Sequence, residues 1–225
     1  MKILKQTGFI ILILGLAYMP LFINGCTHDD EMDTIIPPTT FEYGDDFVST
    51  SDGYTFDHTH SSVRWETAYF GTAALLTGRF NDFALDVDFT QNAADISSLS
   101  GWVTLTSVNT GEPGRDQGCL MGTFDVATQD TATFVSTSIT EDGKGGYIVE
   151  GELNFHSVTA PVSGTLEYAG TTYYDENSGV RNAPLYLSGF IVEFEFLAKS
   201  IFGIESDNIA DGVKIIASGQ FKKPG

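Results

Sequence analysis

From Tyr54 onward apolar residues recur at every second position, the period of a half-buried β-strand and not the 3.6 of a helix. Phe83, Leu85, Val87 and Phe89 alternate with Ala84, Asp86 and Asp88, which sets an apolar face against an acidic one. Tyr147, Val149, Gly151, Leu153 and Phe155 alternate with Ile148, Glu150, Glu152 and Asn154 in the same way. The clearest case places Phe190, Val192, Phe194 and Phe196 against Ile191, Glu193, Glu195 and Leu197, and Val213, Ile215, Ala217, Gly219 and Phe221 repeat it late in the chain. Further strands are predicted near 54–58, 62–69, 72–80, 101–109, 131–139 and 160–168, with Asp142-Gly143 and Asn177-Ser178-Gly179 as turns. Short helical pieces are predicted around 117–123 and 200–209. Many alternating strands with little helix leave an all-β barrel or a sandwich, and periodicity does not choose between them. The 17 phenylalanines fall repeatedly on the inward parity. A closed barrel of about eight strands has an interior that such rings can fill, or that holds one slender ligand.

Before Tyr54 the pattern differs. Lys2 and Lys5 precede an apolar run from Phe9 to Leu16, and Leu21 to Cys26 closes the segment, the layout of an export signal. The run is interrupted by Gly15 and Pro20 and is short for a spanning helix of about 20 residues. Ile23-Asn24-Gly25-Cys26 resembles a bacterial lipobox, in which a small residue precedes a cysteine that is acylated on sulfur and becomes the new N-terminus. The alternatives are a plain signal peptide cleaved elsewhere and an uncleaved anchor helix. On the lipobox reading residues 1–25 are removed and acyl chains on Cys26 hold the protein on a membrane. The acidic run Thr27–Asp33 and the proline-containing run Thr34–Thr40 cannot bury enough apolar surface to fold, so 26–51 is predicted to be a flexible tether. Its acidic residues either resemble the signal that carries some lipoproteins to the outer face of a Gram-negative outer membrane, or form only a solvated linker. The expected location is the cell envelope, lipid-anchored at the outer membrane.

Charge and cysteine usage narrow the function. Removal of residues 1–25 leaves 9 basic and 30 acidic residues, a net charge of −21, and nucleic acid binding needs a basic stripe that this chain lacks. With Cys26 lipidated, Cys119 is the remaining thiol, so no disulfide framework is expected and Cys119 reads as a small buried hydrophobe. The residues from 52 to 225 suffice for one well-filled domain.

Several stretches, taken in order, carry a family resemblance. Tyr54 to Val63 contains Asp57 separated by two residues from His60-Ser61, which resembles the opening strand of the YceI-like family. Gly78-Arg79-Phe80-Asn81-Asp82-Phe83 resembles that family's Gly-x-Phe-x-x-Phe turn, and Ser107 to Gly111 with Arg115-Asp116 resembles the approach to its short helix. Gly151 to Val162 resembles its long hairpin strand and Thr-x-Pro-Val turn, and Ser200-Ile201-Phe202-Gly203-Ile204 its Phe-Gly element. Departures occur at Gly118-Cys119 and Met121, where the family has His-Leu and a serine, and at Lys199, where arginine is common. Thr171 to Pro184, with Arg181, reads as a longer hairpin connection.

The resemblance implies an exported, antiparallel, lipocalin-like closed β-barrel that binds polyisoprenoids without catalysis, and it raises a homodimer as one arrangement. The implied partner is an isoprenoid quinone, a polyprenyl lipid or another long-chain lipid, carried or sequestered in the interior. Phe83, Leu85, Phe89, Leu153, Phe155, Phe190, Val192, Phe194 and Phe196 are the candidate lining residues, with Arg115 as a cation for a head group. So few basic residues favour a neutral ligand over a phosphorylated one. Asp57, His58, His60 and His156 contain suitable metal donors. On an extended strand, however, His58 and His60 share one face while Asp57 takes the other, so His60 and His156 read as hydrogen-bonded structural histidines and no metal or cofactor is expected. No Gly-x-Ser-x-Gly elbow marks a hydrolase. The alternative function is a surface interaction or adhesion module whose barrel core is filled.

Overall fold

The computed structural model describes residues 53–71, 73–90, 95–175 and 184–225. The export segment, the tether with Cys26, and Arg181 lie outside them, as does the side chain of Cys119. The strands are β1 (Thr55–Phe56), β2 (Ser62–Tyr69), β3 (Ala74–Phe80), β4 (Phe83–Phe89), β5 (Ile96–Thr104), β6 (Val108–Asn109), β7 (Thr131–Glu141), β8 (Tyr147–Phe155), β9 (Val158–Tyr174), β10 (Leu185–Leu197) and β11 (Ile209–Pro224). A short helical segment, Arg115–Leu120 followed by Met121–Thr123, matches the expected helix near 117–123. Among the described residues no helix is long and apolar enough to cross a membrane.

The alternating residues become paired strands because each pairing keeps one parity on the concave side. Phe190, Val192, Phe194 and Phe196 of β10 stand opposite Gly219, Ala217, Ile215 and Val213 of β11, so large side chains meet smaller ones across the ladder. On the other edge Phe190, Val192 and Phe194 stand opposite Tyr168, Leu166 and Gly164 of β9. The core follows this parity, with Phe190, Val192, Phe196, Leu166, Val213 and Ala217 all buried. Each fully buried Val, Leu or Phe contributes about 1.5 to 3 kcal/mol of transfer free energy, and this outweighs the small intrinsic preferences of the strands.

The sheet is antiparallel and runs β4-β5-β7-β8-β9-β10-β11-β2-β3-β6, with β1 added to β11. The expected closed barrel of about eight strands is therefore corrected to a curled, open barrel: among the described residues no ladder joins β4 to β3 or β6. The cause lies in the corner between β3 and β4. Asn81 and Asp82 donate their backbone N–H groups to Ser107 instead of closing a hairpin, at 3.0 Å to its carbonyl and 2.9 Å to its hydroxyl. Asp82 accepts from the Thr104 hydroxyl at 2.6 Å. Strand β4 then crosses over the concave face, where Leu85 packs beside Gly219 of β11. The helical segment covers the open side: the ring of Phe124, just beyond it, lies 6.4 Å from those of Trp65 and Phe80 and 6.0 Å from that of Phe155.

Two further expectations change. Residues 200–208 form a turn and an irregular loop leading into β11, not a helix, because the Asp211 carboxylate takes the backbone N–H groups of Lys199 and Ser200, at 2.7 and 3.0 Å, and Gly203 adopts φ 71°. Residues 58–60 form a 3-10 turn, which brings His60 onto Asp57 where an extended strand would have separated them.

Candidate functional site

The interior divides into a filled end and a hollow end. At the filled end the ring of Phe89 lies 4.7 Å from Phe190, 4.9 Å from Tyr54 and 5.8 Å from Phe221, and Phe190 lies 5.4 Å from Tyr168. Phe83 packs there as well, 6.1 Å from Phe56 and 4.4 Å from the imidazole of His58. These tilted and edge-on contacts are the favourable geometries for aromatic pairs. Strand β4 delivers Phe83 and Phe89 to this cluster.

The hollow end holds a cavity of about 430 Å³. Of the candidate lining residues, Leu85, Leu153, Phe155, Val192, Phe194, Phe196 and Arg115 border it, whereas Phe83, Phe89 and Phe190 belong to the filled cluster. Alternation along a strand shows which side chains point inward but not where along the axis the interior is blocked. The sequence reading missed Trp65, Phe80, Phe124 and Phe134, all on the cavity wall. For Trp65 the signal was present, since Val63, Trp65, Thr67 and Tyr69 form one parity of β2 and all border the cavity.

Glycines give the cavity its width. A Cβ on Gly78 would lie 2.6 Å from the Trp65 indole, and one on Gly151 would lie 2.4 Å from the Phe134 ring, so both rings lie flat against the sheet where side chains are missing. Phe134 stacks on Phe194 at 5.5 Å with planes 22° apart, which makes a broad aromatic wall. The indole N–H of Trp65, the hydroxyl of Tyr54 and one carboxyl oxygen of Asp86 are buried without a hydrogen-bond partner. Burial, helped by the charge of nearby Asp88, raises the pKa of Asp86.

Polar groups are concentrated at the border. Arg115 donates from Nε to the Thr110 hydroxyl at 2.9 Å and from Nη2 to the Thr110 carbonyl at 3.4 Å. That hydroxyl donates to Asp116 at 2.6 Å, so Arg115 and Asp116 are linked through Thr110. Glu112 accepts the backbone N–H groups of Gly114 and Arg115, which fixes the entry to the helical segment.

The histidines have local partners. His60 donates from Nδ1 to Asp57 at 3.1 Å, and Lys222 approaches the same carboxylate at 3.6 Å. Burial acts to raise the Asp57 pKa, but the hydrogen bond from His60 and the charge of Lys222 outweigh it and hold the carboxyl below its usual range. His156 donates from Nδ1 to the Phe202 carbonyl at 2.7 Å. With Ser157 it occupies the left-handed region, φ 52° and 61°, as a two-residue β8–β9 turn requires. Among the described residues no group of three or more His, Cys, Asp and Glu side chains is placed to hold a metal ion.

Comparison with known proteins places this arrangement. The family model described as "YceI-like domain" matches residues 54–221. A UPF0312 protein of Vibrio vulnificus strain YJ016 is 31% identical over 127 residues, which cover 55% of this chain and 67% of that protein. The crystal structure of BcnA from Burkholderia cenocepacia superposes with a TM-score of 0.60 at 21% identity, covering 74% of this chain and 99% of that one. A domain from Saccharophagus degradans, described as a polyisoprenoid binding domain implicated in plant cell wall breakdown, superposes with a TM-score of 0.50 at 18% identity, over 76% of this chain and 98% of its own.

Proposed function

Because the chain belongs to the YceI-like family, we propose that it binds and carries a long-chain isoprenoid-type lipid in the hollow end of its barrel, without catalysis. The observation that carries this reading is the cavity itself. Its volume of about 430 Å³ falls in the range of about 300 to 1,000 Å³ usual for ligand sites. Its wall is built mainly from Trp65, Phe80, Phe124, Phe134, Phe155, Phe194 and Phe196 with aliphatic residues between them. Water gains little from such a wall, whereas each methylene moved into it is worth roughly 0.8 kcal/mol before ordering costs.

Arg115 can turn one N–H toward a head-group oxygen while Thr110 holds the rest of its guanidinium. Glu112 on the same border disfavours a multiply charged head, which supports a neutral cargo such as an isoprenoid quinone over a polyprenyl phosphate. Cys26 with its acidic tether would hold the barrel beside the envelope membrane that supplies the cargo. The polyisoprenoid-binding description of the Saccharophagus degradans domain supports the same lipid class.

Titration of lipid-free protein with a long-chain isoprenoid quinone, followed by the fluorescence of Trp65 and Trp102, which both border the cavity, tests this reading. Saturable quenching at one equivalent is expected. A flat response to the quinone and to a polyprenol alike would favour the filled-core interaction module.

A further inference from the structure

The outer face of β3, β2, β11 and β10 changes character toward one end. Arg79, Arg64, Ile216 and Glu193 are successive cross-strand partners, and the next outward row is Thr77, Glu66, Lys214 and Glu195. Both rows carry charge, and Lys214 reaches Glu193 at 2.8 Å. The last row carries none: Leu75 faces Ala68, and Leu197 faces Gly212, one residue beyond the Thr67–Val213 pair. Large apolar side chains are bare here, with Leu75 62%, Phe70 60%, Leu197 45% and Ile201 42% exposed. The Phe70 N–H donates to the Asn208 carbonyl at 2.8 Å, which ties the β2–β3 turn to the loop that enters β11.

Behind this row lies the cavity. Tyr69, Leu76, Phe196, Ala198, Ile204 and Ile209, neighbours of the exposed residues in sequence, border it. Asn208 borders it too and is exposed, so the cavity reaches the surface at this end.

We propose that this end of the barrel docks on a lipid bilayer. Phe70, Leu75, Leu197 and Ile201 enter the interface, and the row of Glu66, Lys214 and Glu195 marks how deep they go. Two residues of strand separate the apolar row from the charged one, about 7 Å, which matches the shallow insertion of interfacial elements at about 5 to 10 Å. The inference rests on the carriage reading, because its purpose is to let an apolar cargo pass between bilayer and cavity without crossing water. Charge selects the kind of surface. A chain of net charge −19, with exposed Glu205 and Asp207 beside the cavity border, suits a zwitterionic bilayer rather than an anionic one. The same carboxylates disfavour a second copy, since a two-fold contact at this end would bring the two acidic rims together.

Amide hydrogen exchange on the full chain, with and without phosphatidylcholine vesicles, tests the docking. Vesicles are expected to slow exchange at Phe70, Leu75 and residues 197–204 by about tenfold or more, while the middle of β8 is unchanged. The double substitution Phe70→Ser with Leu75→Ser is expected to abolish the slowing at 197–204 without moving the urea midpoint, since both side chains are exposed. Unchanged exchange while lipid still co-purifies with the protein would overturn the docking alone. Slowing that depends on protein concentration and not on vesicles would overturn it in favour of a second copy. Slowing on vesicles by a protein whose cavity takes up no lipid would keep the docking and overturn the carriage reading.

Discussion

Truncation of two phenylalanines on one strand separates a packed core from a ligand tunnel. Phe190 and Phe194 are four residues apart on the same face of β10, but their surroundings differ. Phe190 is 2% exposed and lies within 6 Å of Phe89, Phe221 and Tyr168. Its replacement by alanine is expected to cost about 3 to 5 kcal/mol, the usual range for a ring in a packed core. Phe194 is only partly buried, stacks on Phe134 and borders the cavity with the rest of its ring. Phe194→Ala removes that one pair, worth about 0.5 to 1.5 kcal/mol, and little other packing, so its cost is expected near 1 to 2 kcal/mol. With a urea m-value of about 2 kcal/mol per molar, the midpoints of the ligand-free variants should differ by about 1 M. Binding should show the reverse order. Phe194→Ala is expected to weaken lipid affinity about tenfold, the equivalent of about 1.4 kcal/mol of lost contact, while Phe190→Ala leaves it close to that of the unmodified chain. Equal midpoints for the two variants, or a binding loss confined to Phe190→Ala, would refute the division of the interior into filled and hollow ends.

Gly78→Ala is expected to push the Trp65 indole off β3 into the cavity, with a stability cost of about 1 to 3 kcal/mol and a clear loss of affinity for branched lipids, read by calorimetric titration. Asp57 contributes stability that is fully present above its unfolded pKa and lost as pH falls through its lower folded value, so acid denaturation should show a component below about pH 3.8 that Asp57→Asn removes. Cys26→Ala is expected to abolish metabolic acyl labelling and to cut membrane retention to the weaker, reversible docking of the barrel end. Equal membrane retention by that variant would remove the lipid anchor from the account.

Much of the fold was legible because a period of two is a local signal: the inward parity of β8, β10 and β11 can be read directly from Leu153, Phe155, Phe190 and Val213. Whether the barrel closes was not legible. It depends on Asn81 and Asp82 bonding to Ser107, a contact that no pattern within β3 or β4 announces. The same corner explains the mixed placement of the candidate lining residues, since it sends β4 across the concave face and draws Phe83 and Phe89 into the filled end with Phe190. Trp65, Phe124 and Phe134 escaped notice for related reasons. Trp65 and Phe134 border open space because Gly78 and Gly151, on the next strand of each hairpin, let their rings lie flat, a match that depends on strand register. Phe124 ends a helical segment, and its ring contacts, to Trp65, Phe80 and Phe155, are all with residues far away in sequence. The histidine pairings were half legible: their structural character followed from the residues, but the turn that joins His60 to Asp57 did not.

The most direct test of the central claim is a native mass spectrum of the protein purified from envelope membranes in mild detergent, with the released ligand then fragmented. The account predicts one apolar lipid per chain, with a fragment ladder spaced by isoprene units and a neutral head group, and loss of that species from Phe194→Ala but not from Phe190→Ala. A chain that emerges free of lipid from every preparation, with its mass unchanged after incubation with isoprenoid vesicles, would contradict it.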